Sequence, residues 1–106
     1  VLVCADARVD ASGAAALLRL LVPGVDLHAR VAELSGGQRR RVEIARALLC
    51  PGGAVILDEP FTGLDVAARD VCAEVVLDLL DGRTLLLATH DASDAQALDI
   101  SDIITL

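Results

Sequence analysis

Two short apolar runs, each followed at once by polar residues, constrain the fold of this chain most. The first run is 54–57, which is followed by Asp58-Glu59, and the second is 84–88, which is followed by Thr89-His90. Between them, apolar residues recur at three- and four-residue spacing, which predicts a helix over about 65–80. A strand, a helix of this length and a second strand indicate two parallel strands joined by a right-handed crossover.

Further elements are predicted on both sides of this unit. Ser35 and Gln38 have the spacing of a capping box, which predicts a helix running to about Cys50. Gly82 stands where a left-handed cap would end the crossover helix. The remaining predictions are strands at 1–4 and 103–106, and helices near 12–21 and 92–98. The expected fold class is α/β, a parallel sheet flanked by helices.

The predicted burial follows from the same patterns. The apolar strands are expected to be buried on both faces, as in parallel sheets covered by helices. The buried stripe of the crossover helix is predicted to consist of Val71, Val75, Val76, Leu79 and Leu80.

Composition and net charge narrow the classes of function that the chain can have. The 106 residues fit one domain or part of one, and 16 acidic residues against 9 basic ones give a net charge of −7. This charge disfavours nucleic acid and anionic lipid as partners. Cys4, Cys50 and Cys72 are isolated from one another, which predicts core residues rather than a zinc site or disulfides.

The polar residues after the two strands are the first candidates for chemistry, because the carboxyl ends of parallel strands share one edge of the sheet. Asp58 could hold a divalent cation while Glu59 orients or deprotonates an attacking water, and His90 could face the same ligand. Each feature also has a purely structural interpretation. Carboxylates cap turns, and a histidine at a strand end often bonds to a neighbouring turn.

The segment Ser35-Gly36-Gly37-Gln38 is a second candidate site. Its exposed N–H groups and the positive end of the helix dipole suit a phosphate. The alternative is an ordinary helix cap with a flexible glycine pair. Most of Arg39–Arg41 is expected to form a solvated face.

In chain order, the segments Leu34–Gln38, Ile56–Pro60, Gly63–Asp65 and Thr89–Asp91 resemble the motifs of the ATP-binding cassette (ABC) ATPases. The resemblance implies a partial P-loop NTPase-type domain that carries the signature helix. It implies that Asp58 is the Walker B aspartate that binds Mg²⁺ and that Glu59 and His90 are catalytic. It also implies a signature motif that contacts the ATP of the opposing subunit (Leu34, Ser35, Gly36, Gly37 and Gln38) and a D-loop at the dimer interface (Gly63, Leu64 and Asp65).

The resemblance extends from about Ala32 to the end of the chain, and Phe61 stands where many cassettes have Thr or Ser. The sequence has no G-x-x-x-x-G-K-[ST] loop, no lysine and no initiator methionine. Residues 3–8 could occupy the Q-loop region, but they contain no glutamine. We therefore expect residues 1–106 to be the C-terminal part of an ABC nucleotide-binding domain. The isolated chain is expected not to hydrolyse ATP, whereas the parent domain is expected to be an ATPase.

The leading hypothesis is the energising subunit of an ABC membrane transporter. It is expected to be importer-like, because residues 89–95 are similar to the tail of importer-type cassettes. The resemblance implies three further properties: a second nucleotide-binding domain bound head to tail, transmembrane permease subunits as partners, and a position on the cytoplasmic face of the membrane. Direct binding of nucleic acid is not expected. The alternatives are a soluble ABC ATPase of DNA repair or translation and a non-hydrolysing remnant without Walker A.

Overall fold

A computed structural model describes residues 11–26, 28 and 30–105. Within them, two parallel strands and the helices that flank them form an α/β fold. The elements in chain order are α1 (Ala11–Leu21), a 3₁₀ turn (Val31–Glu33), α2 (Gly36–Leu49), β1 (Ala54–Asp58), α3 (Val66–Leu79), β2 (Thr84–Ala88) and α4 (Ala92–Ala97). The predicted strand, helix and strand order is confirmed, and α1 begins one residue before Ser12. The predicted strand at 1–4 lies outside the described residues.

The two strands are in a register that aligns their ends. Ala54 pairs with Thr84 at one end and Asp58 pairs with Ala88 at the other. Because both strands run in the same direction, the residues that follow them emerge at one edge of the sheet. This register places the polar segments 58–59 and 89–91 side by side.

Two side-chain caps fix where the main helices begin. Ser35 Oγ accepts a hydrogen bond from Gln38 N at 3.1 Å, and Ser35 N donates to Gln38 Oε1 at 3.0 Å, which confirms the capping box at the start of α2. Asp65 caps α3 by accepting from Ala68 N at 2.7 Å. Each cap satisfies backbone N–H groups that the first helical turn leaves without a partner.

The crossover helix ends in a left-handed turn, as predicted. Asp81 and Gly82 follow α3 with φ of 50° and 76°. Glycine adopts this conformation without the steric cost that a Cβ brings. The turn reverses the chain into β2.

The core lies between α1, α2, α3 and one face of the sheet. Its largest fully buried side chains are aliphatic apart from one cysteine: Leu21, Val22, Ile44, Val55, Cys72 and Val76. Phe61, the single aromatic residue, is 4% exposed and belongs to the same cluster. Burial raises the pKa of the Cys72 thiol. Cys72 is thus the core residue that was predicted, but the prediction is wrong for Cys50, which is exposed.

The prediction that both strands are buried on two faces is wrong. Val55 and Leu57 point into the core, whereas Ile56 is 68% exposed and its cross-strand partner Leu86 is 55% exposed. Successive side chains of a strand alternate between the faces of the sheet, so a continuous apolar run does not show whether both faces are covered. The described core cluster includes only the Val55 and Leu57 face of β1.

Two further expectations are corrected. Of the predicted stripe of α3, Val76 is buried and Val75 and Leu80 are half-buried against the core, but Val71 and Leu79 are exposed. The other buried residues of α3 are Cys72 and Ala73, which were not predicted. Apolar residues occur nearly all round this helix, so its sequence does not define a narrow stripe. Residues 103–105 form no strand among the described residues, since a strand needs a neighbouring ladder of hydrogen bonds. Leu106 lies outside the described residues.

No helix in the described part of the chain combines the length and the apolar composition needed to cross a bilayer.

Candidate active site at the edge of the sheet

Glu59 and His90 meet at the carboxyl ends of β1 and β2. Glu59 N donates to Ala88 O at 2.8 Å, which continues the strand pairing one residue past the register. The Glu59 carboxylate then reaches the other strand end, where its Oε1 accepts from His90 N at 3.1 Å and lies 2.8 Å from His90 Nδ1. The structure therefore brings together two of the predicted site residues that lie 31 positions apart in the sequence.

The contact with Glu59 favours a hydrogen on Nδ1 of His90. An ionised carboxylate can only accept, so the 2.8 Å contact is a hydrogen bond when Nδ1 carries the hydrogen. The hydrogen bond and the negative charge of Glu59 raise the pKa of His90, and Asp91 and Asp94 act in the same direction. The His90 side chain is 83% exposed. In its charged form, the ring presents Nε2–H to solvent as a donor suited to an anionic oxygen.

Glu59 has a strained backbone. Its φ is 45°, in the left-handed region that residues with a Cβ rarely adopt. Such a conformation costs on the order of 1 kcal/mol and persists where the surroundings enforce it. Here the bond to Ala88 and the buried residues Pro60 and Phe61 hold the turn. The sequence carries no signal for this conformation, because glutamate is not a residue that favours it.

Asp58 is the last residue of β1 and is exposed. It lines a shallow cavity of about 120 Å³ together with Arg40 and Glu43 of α2. No group of three or more His, Cys, Asp or Glu in the described part of the chain could hold a metal ion. Mg²⁺ is usually held by one or two carboxylates with water and substrate phosphates rather than by an all-protein cage. A single accessible carboxylate at this edge fits that mode of binding.

The Leu34–Gln38 segment lies against the Gly63–Asp65 loop. A Cβ built on Gly37 would lie 3.4 Å from Leu64 Cδ2 and 3.9 Å from Gly63 O. Leu34 is buried, whereas Ser35 and Gly36 are exposed at the N-terminus of α2. The cavity that Glu59 and His90 line is lined by none of Leu34–Gln38, although it is lined by Gly63 and Leu64. Among the described residues, no hydrogen bond or ion pair joins the two predicted site segments.

The arginines after this segment differ in their surroundings. Arg39 is exposed, but Arg40 and Arg41 are half-buried, so the prediction that most of Arg39–Arg41 form a solvated face is wrong. Arg41 is half-buried and donates from Nε to Gly37 O at 3.2 Å and from Nη1 to Leu21 O at 3.3 Å. It therefore ties the end of α1 to the start of α2, a role that a run of three arginines does not reveal.

A larger cavity of about 340 Å³ opens beside the Glu59 and His90 pair. Two of the residues that line it were not predicted from the sequence: Arg69, on α3, and Asp94, on α4. Asp94 is 7% exposed and is the buried charged residue among those described. The sequence does not indicate that Asp94 is buried, since an acidic residue in a short helix is usually exposed.

A model of the family described as ABC transporter matches residues 7–62, more than half of the chain. The chain belongs to the ABC transporter family. The parallel strands and flanking helices agree with part of a P-loop NTPase-type domain.

Curated ABC transporter ATP-binding proteins match more than half of the chain. The manganese transport system ATP-binding protein of Synechocystis sp. is 46% identical over 58% of this chain and 24% of its own length. The Nod factor export ATP-binding protein I of Paraburkholderia xenovorans is 49% identical over 66% of this chain and 23% of its own length. An uncharacterized ABC transporter ATP-binding protein of Haemophilus influenzae is 39% identical over 67% of this chain and 30% of its own length. The chain thus spans about a quarter of the length of these relatives.

Proposed function

We propose that residues 1–106 are the C-terminal part of an ABC nucleotide-binding domain and supply its hydrolytic residues. The observation that carries this proposal is the contact of Glu59 Oε1 with both the backbone N and Nδ1 of His90 at adjacent strand ends. A carboxylate and an exposed imidazole held in this way can act on one ligand together, the carboxylate as a hydrogen-bond acceptor or base and the imidazole as a hydrogen-bond donor. ATP is the proposed ligand, because the chain belongs to the ABC family.

In this proposal Glu59 polarises the water that attacks the γ-phosphate, and His90 stabilises the charge that develops on it. Both His90 contacts use Oε1, so Oε2 is the carboxylate oxygen that would face the water. Protonated His90 would donate from Nε2 to a γ-phosphate oxygen. Asp58 would hold Mg²⁺, and the ion when bound neutralises charge on the phosphates.

The proposed partner is a second nucleotide-binding domain in a head-to-tail arrangement. The exposure of Ser35 and Gly36 supports it, because the N-terminus of α2 is then available to the ATP of the opposing subunit. Gly63–Asp65 packs on this segment and would link the two sites across the interface. Replacing exposed Ser35 by arginine should block closure of the dimer around ATP, while ATP binding to the subunit's own Walker A half is retained.

We further propose that the parent protein energises a membrane transporter from the cytoplasmic face, through permease subunits. The names of the relatives support a transport role, and they include both a manganese transport system and an exporter. The importer-like assignment rests on the similarity of residues 89–95 to importer cassettes. A soluble ABC ATPase and a non-hydrolysing remnant are the competing assignments.

The domain assignment is tested by reading the coding sequence upstream of Val1 in the same frame. We expect a strand followed by G-x-x-x-x-G-K-[ST] and then a loop that contains glutamine. An upstream start codon followed by unrelated sequence would contradict the assignment and favour the remnant.

The hydrolytic assignment is tested by ATP turnover of the full-length subunit that carries this chain. Glu59→Gln keeps the shape of the side chain but removes the base, and we expect turnover to fall by about 10²- to 10⁴-fold. The matched control is Glu74→Gln, at an exposed position of α3, which should keep normal turnover. Equal turnover of the two variants would contradict the proposed role of Glu59.

A further inference from the structure

The turn that carries His90 is held by the hydroxyl of Thr89. Thr89 Oγ1 accepts from Asp91 N at 3.1 Å and donates to Asp94 Oδ2 at 2.9 Å. The His90 side chain is exposed, so little packing restrains its ring apart from the contact with Glu59. The position of the ring therefore depends on the backbone turn 89–91, which the Thr89 hydroxyl fixes on both sides.

The acceptor of this hydroxyl is a buried charge with a partner on another helix. Asp94 Oδ1 lies 3.8 Å from Arg69 Nη1, and the same Nη1 donates to Ser93 Oγ at 2.8 Å. The exposed fractions of the two side chains are 18% for Arg69 and 9% for Asp94. A buried carboxylate needs such a cation and such hydrogen bonds, because burial disfavours an unpaired charge.

The same arginine is tied to the loop that precedes α3. Arg69 N donates to Asp65 O at 2.9 Å, and Asp65 caps the helix. This is a backbone bond of the first turn of α3, so the Arg69 guanidinium projects from a turn that Asp65 caps. Side-chain contacts then run from Arg69 to Asp94 and from Asp94 to Thr89, the residue before His90.

We propose that Arg69 and Asp94 are positioning residues that fix the His90 turn against Glu59. This inference rests on the proposed function, because it assigns these residues to the same hydrolytic site. In this proposal neither side chain contacts the reacting atoms. They act through Thr89, whose hydroxyl bonds both to Asp94 and to the backbone N of Asp91, the residue after His90.

The test compares variants of the full-length subunit in three measurements: kcat, the KM for ATP in the presence of Mg²⁺, and the nitrogen NMR resonances of the His90 ring. Asp94→Asn removes the charge that faces Arg69, and Thr89→Val removes the hydroxyl while keeping the shape. We expect both to lower kcat by about 10- to 100-fold, with little change in KM, and to shift the His90 resonances. Thr89→Ser restores the hydroxyl and should restore kcat.

The matched control is Asp70→Asn. Asp70 also pairs with Arg69, at 3.2 Å, but it is exposed and has no bond to the His90 turn. It should leave kcat and the His90 resonances unchanged. A similar loss of kcat in Asp70→Asn would show that any ion pair of Arg69 affects kcat through the stability of the fold rather than through the His90 turn. This result would overturn the inference.

Two outcomes separate this inference from the proposed function. Unchanged turnover in Glu59→Gln would refute the proposed function, while the His90 resonances of Asp94→Asn would still test the positioning. Normal kcat and unshifted His90 resonances in Thr89→Val and Asp94→Asn would overturn the inference even if Glu59→Gln is inactive. The two Thr89 variants decide the matter alone if Asp94→Asn does not fold.

Discussion

Replacing Arg83 by methionine should destabilise the chain, because one guanidinium caps the C-terminal ends of two helices. Arg83 Nε donates to Leu80 O at 2.9 Å and Nη2 donates to Leu79 O at 2.7 Å, both at the end of α3. Nη1 donates to Leu48 O at 2.9 Å, in the last turn of α2. Leu48 and Leu79 lie in the last helical turns, where carbonyls have no partner within the helix, whereas Leu80 O also accepts from Arg83 N at 3.0 Å. The cation also complements the helix dipoles.

The size of the effect follows from the burial of these bonds. The contacts to Leu80 and Leu48 are partly buried, whereas the contact to Leu79 is exposed. Water can replace the guanidinium at the exposed carbonyl, so this bond contributes little. At about 1 to 1.5 kcal/mol for the partly buried bond to Leu48, and less for Leu80 O, which keeps its bond from the backbone N of residue 83, the expected loss is about 1 to 2 kcal/mol of unfolding free energy.

The assay is urea unfolding of the 106-residue chain followed by far-UV circular dichroism, since the sequence has no Trp or Tyr for fluorescence. Arg46→Met, at an exposed position of α2, is the matched control and should change stability by less than about 0.5 kcal/mol. Arg83→Lys should fall between the two, because an ammonium cannot span both helices with a planar fork. A loss no larger in Arg83→Met than in Arg46→Met would refute the reasoning.

Two further predictions follow from the structure. The pKa of His90 in the folded chain lies above 6.5, so its contact with Glu59 stabilises the fold fully below pH 6.5 and this stabilisation is lost as pH rises through the raised pKa. An NMR titration of His90 should show this raised pKa and its return towards 6.5 in Glu59→Gln; the same pKa in both proteins would count against the contact. Phe61→Ala should cost about 3 to 5 kcal/mol, because the ring is 4% exposed, and a loss below about 1 kcal/mol in urea unfolding would be inconsistent with a core role.

Local signals in the sequence were enough to place the site. The capping box at Ser35 and Gln38 and the polar residues after each strand depend on neighbours a few positions away, and these predictions are confirmed. The meeting of Glu59 with His90 followed from one topological rule, that parallel strands end at the same edge.

Features that depend on distant contacts were not predictable. The exposure of Ile56 and Leu86 depends on which face the helices cover, and an apolar run does not encode this. The same holds for the core face of α3, where ten of the 14 positions are apolar and are spread nearly all round the helix. Arg69 and Asp94 meet across 25 residues of sequence, and neither belongs to a motif that would indicate a partner.

The most direct test of the central claim is the mass in solution of the full-length Glu59→Gln subunit with ATP and Mg²⁺. If Glu59 supports hydrolysis and Leu34–Gln38 contacts the ATP of the opposing subunit, ATP should stay intact and hold two subunits together. Light scattering should then show a doubled mass that Ser35→Arg abolishes in the same background. A monomer that still hydrolyses ATP, or a dimer unaffected by Ser35→Arg, would contradict the account.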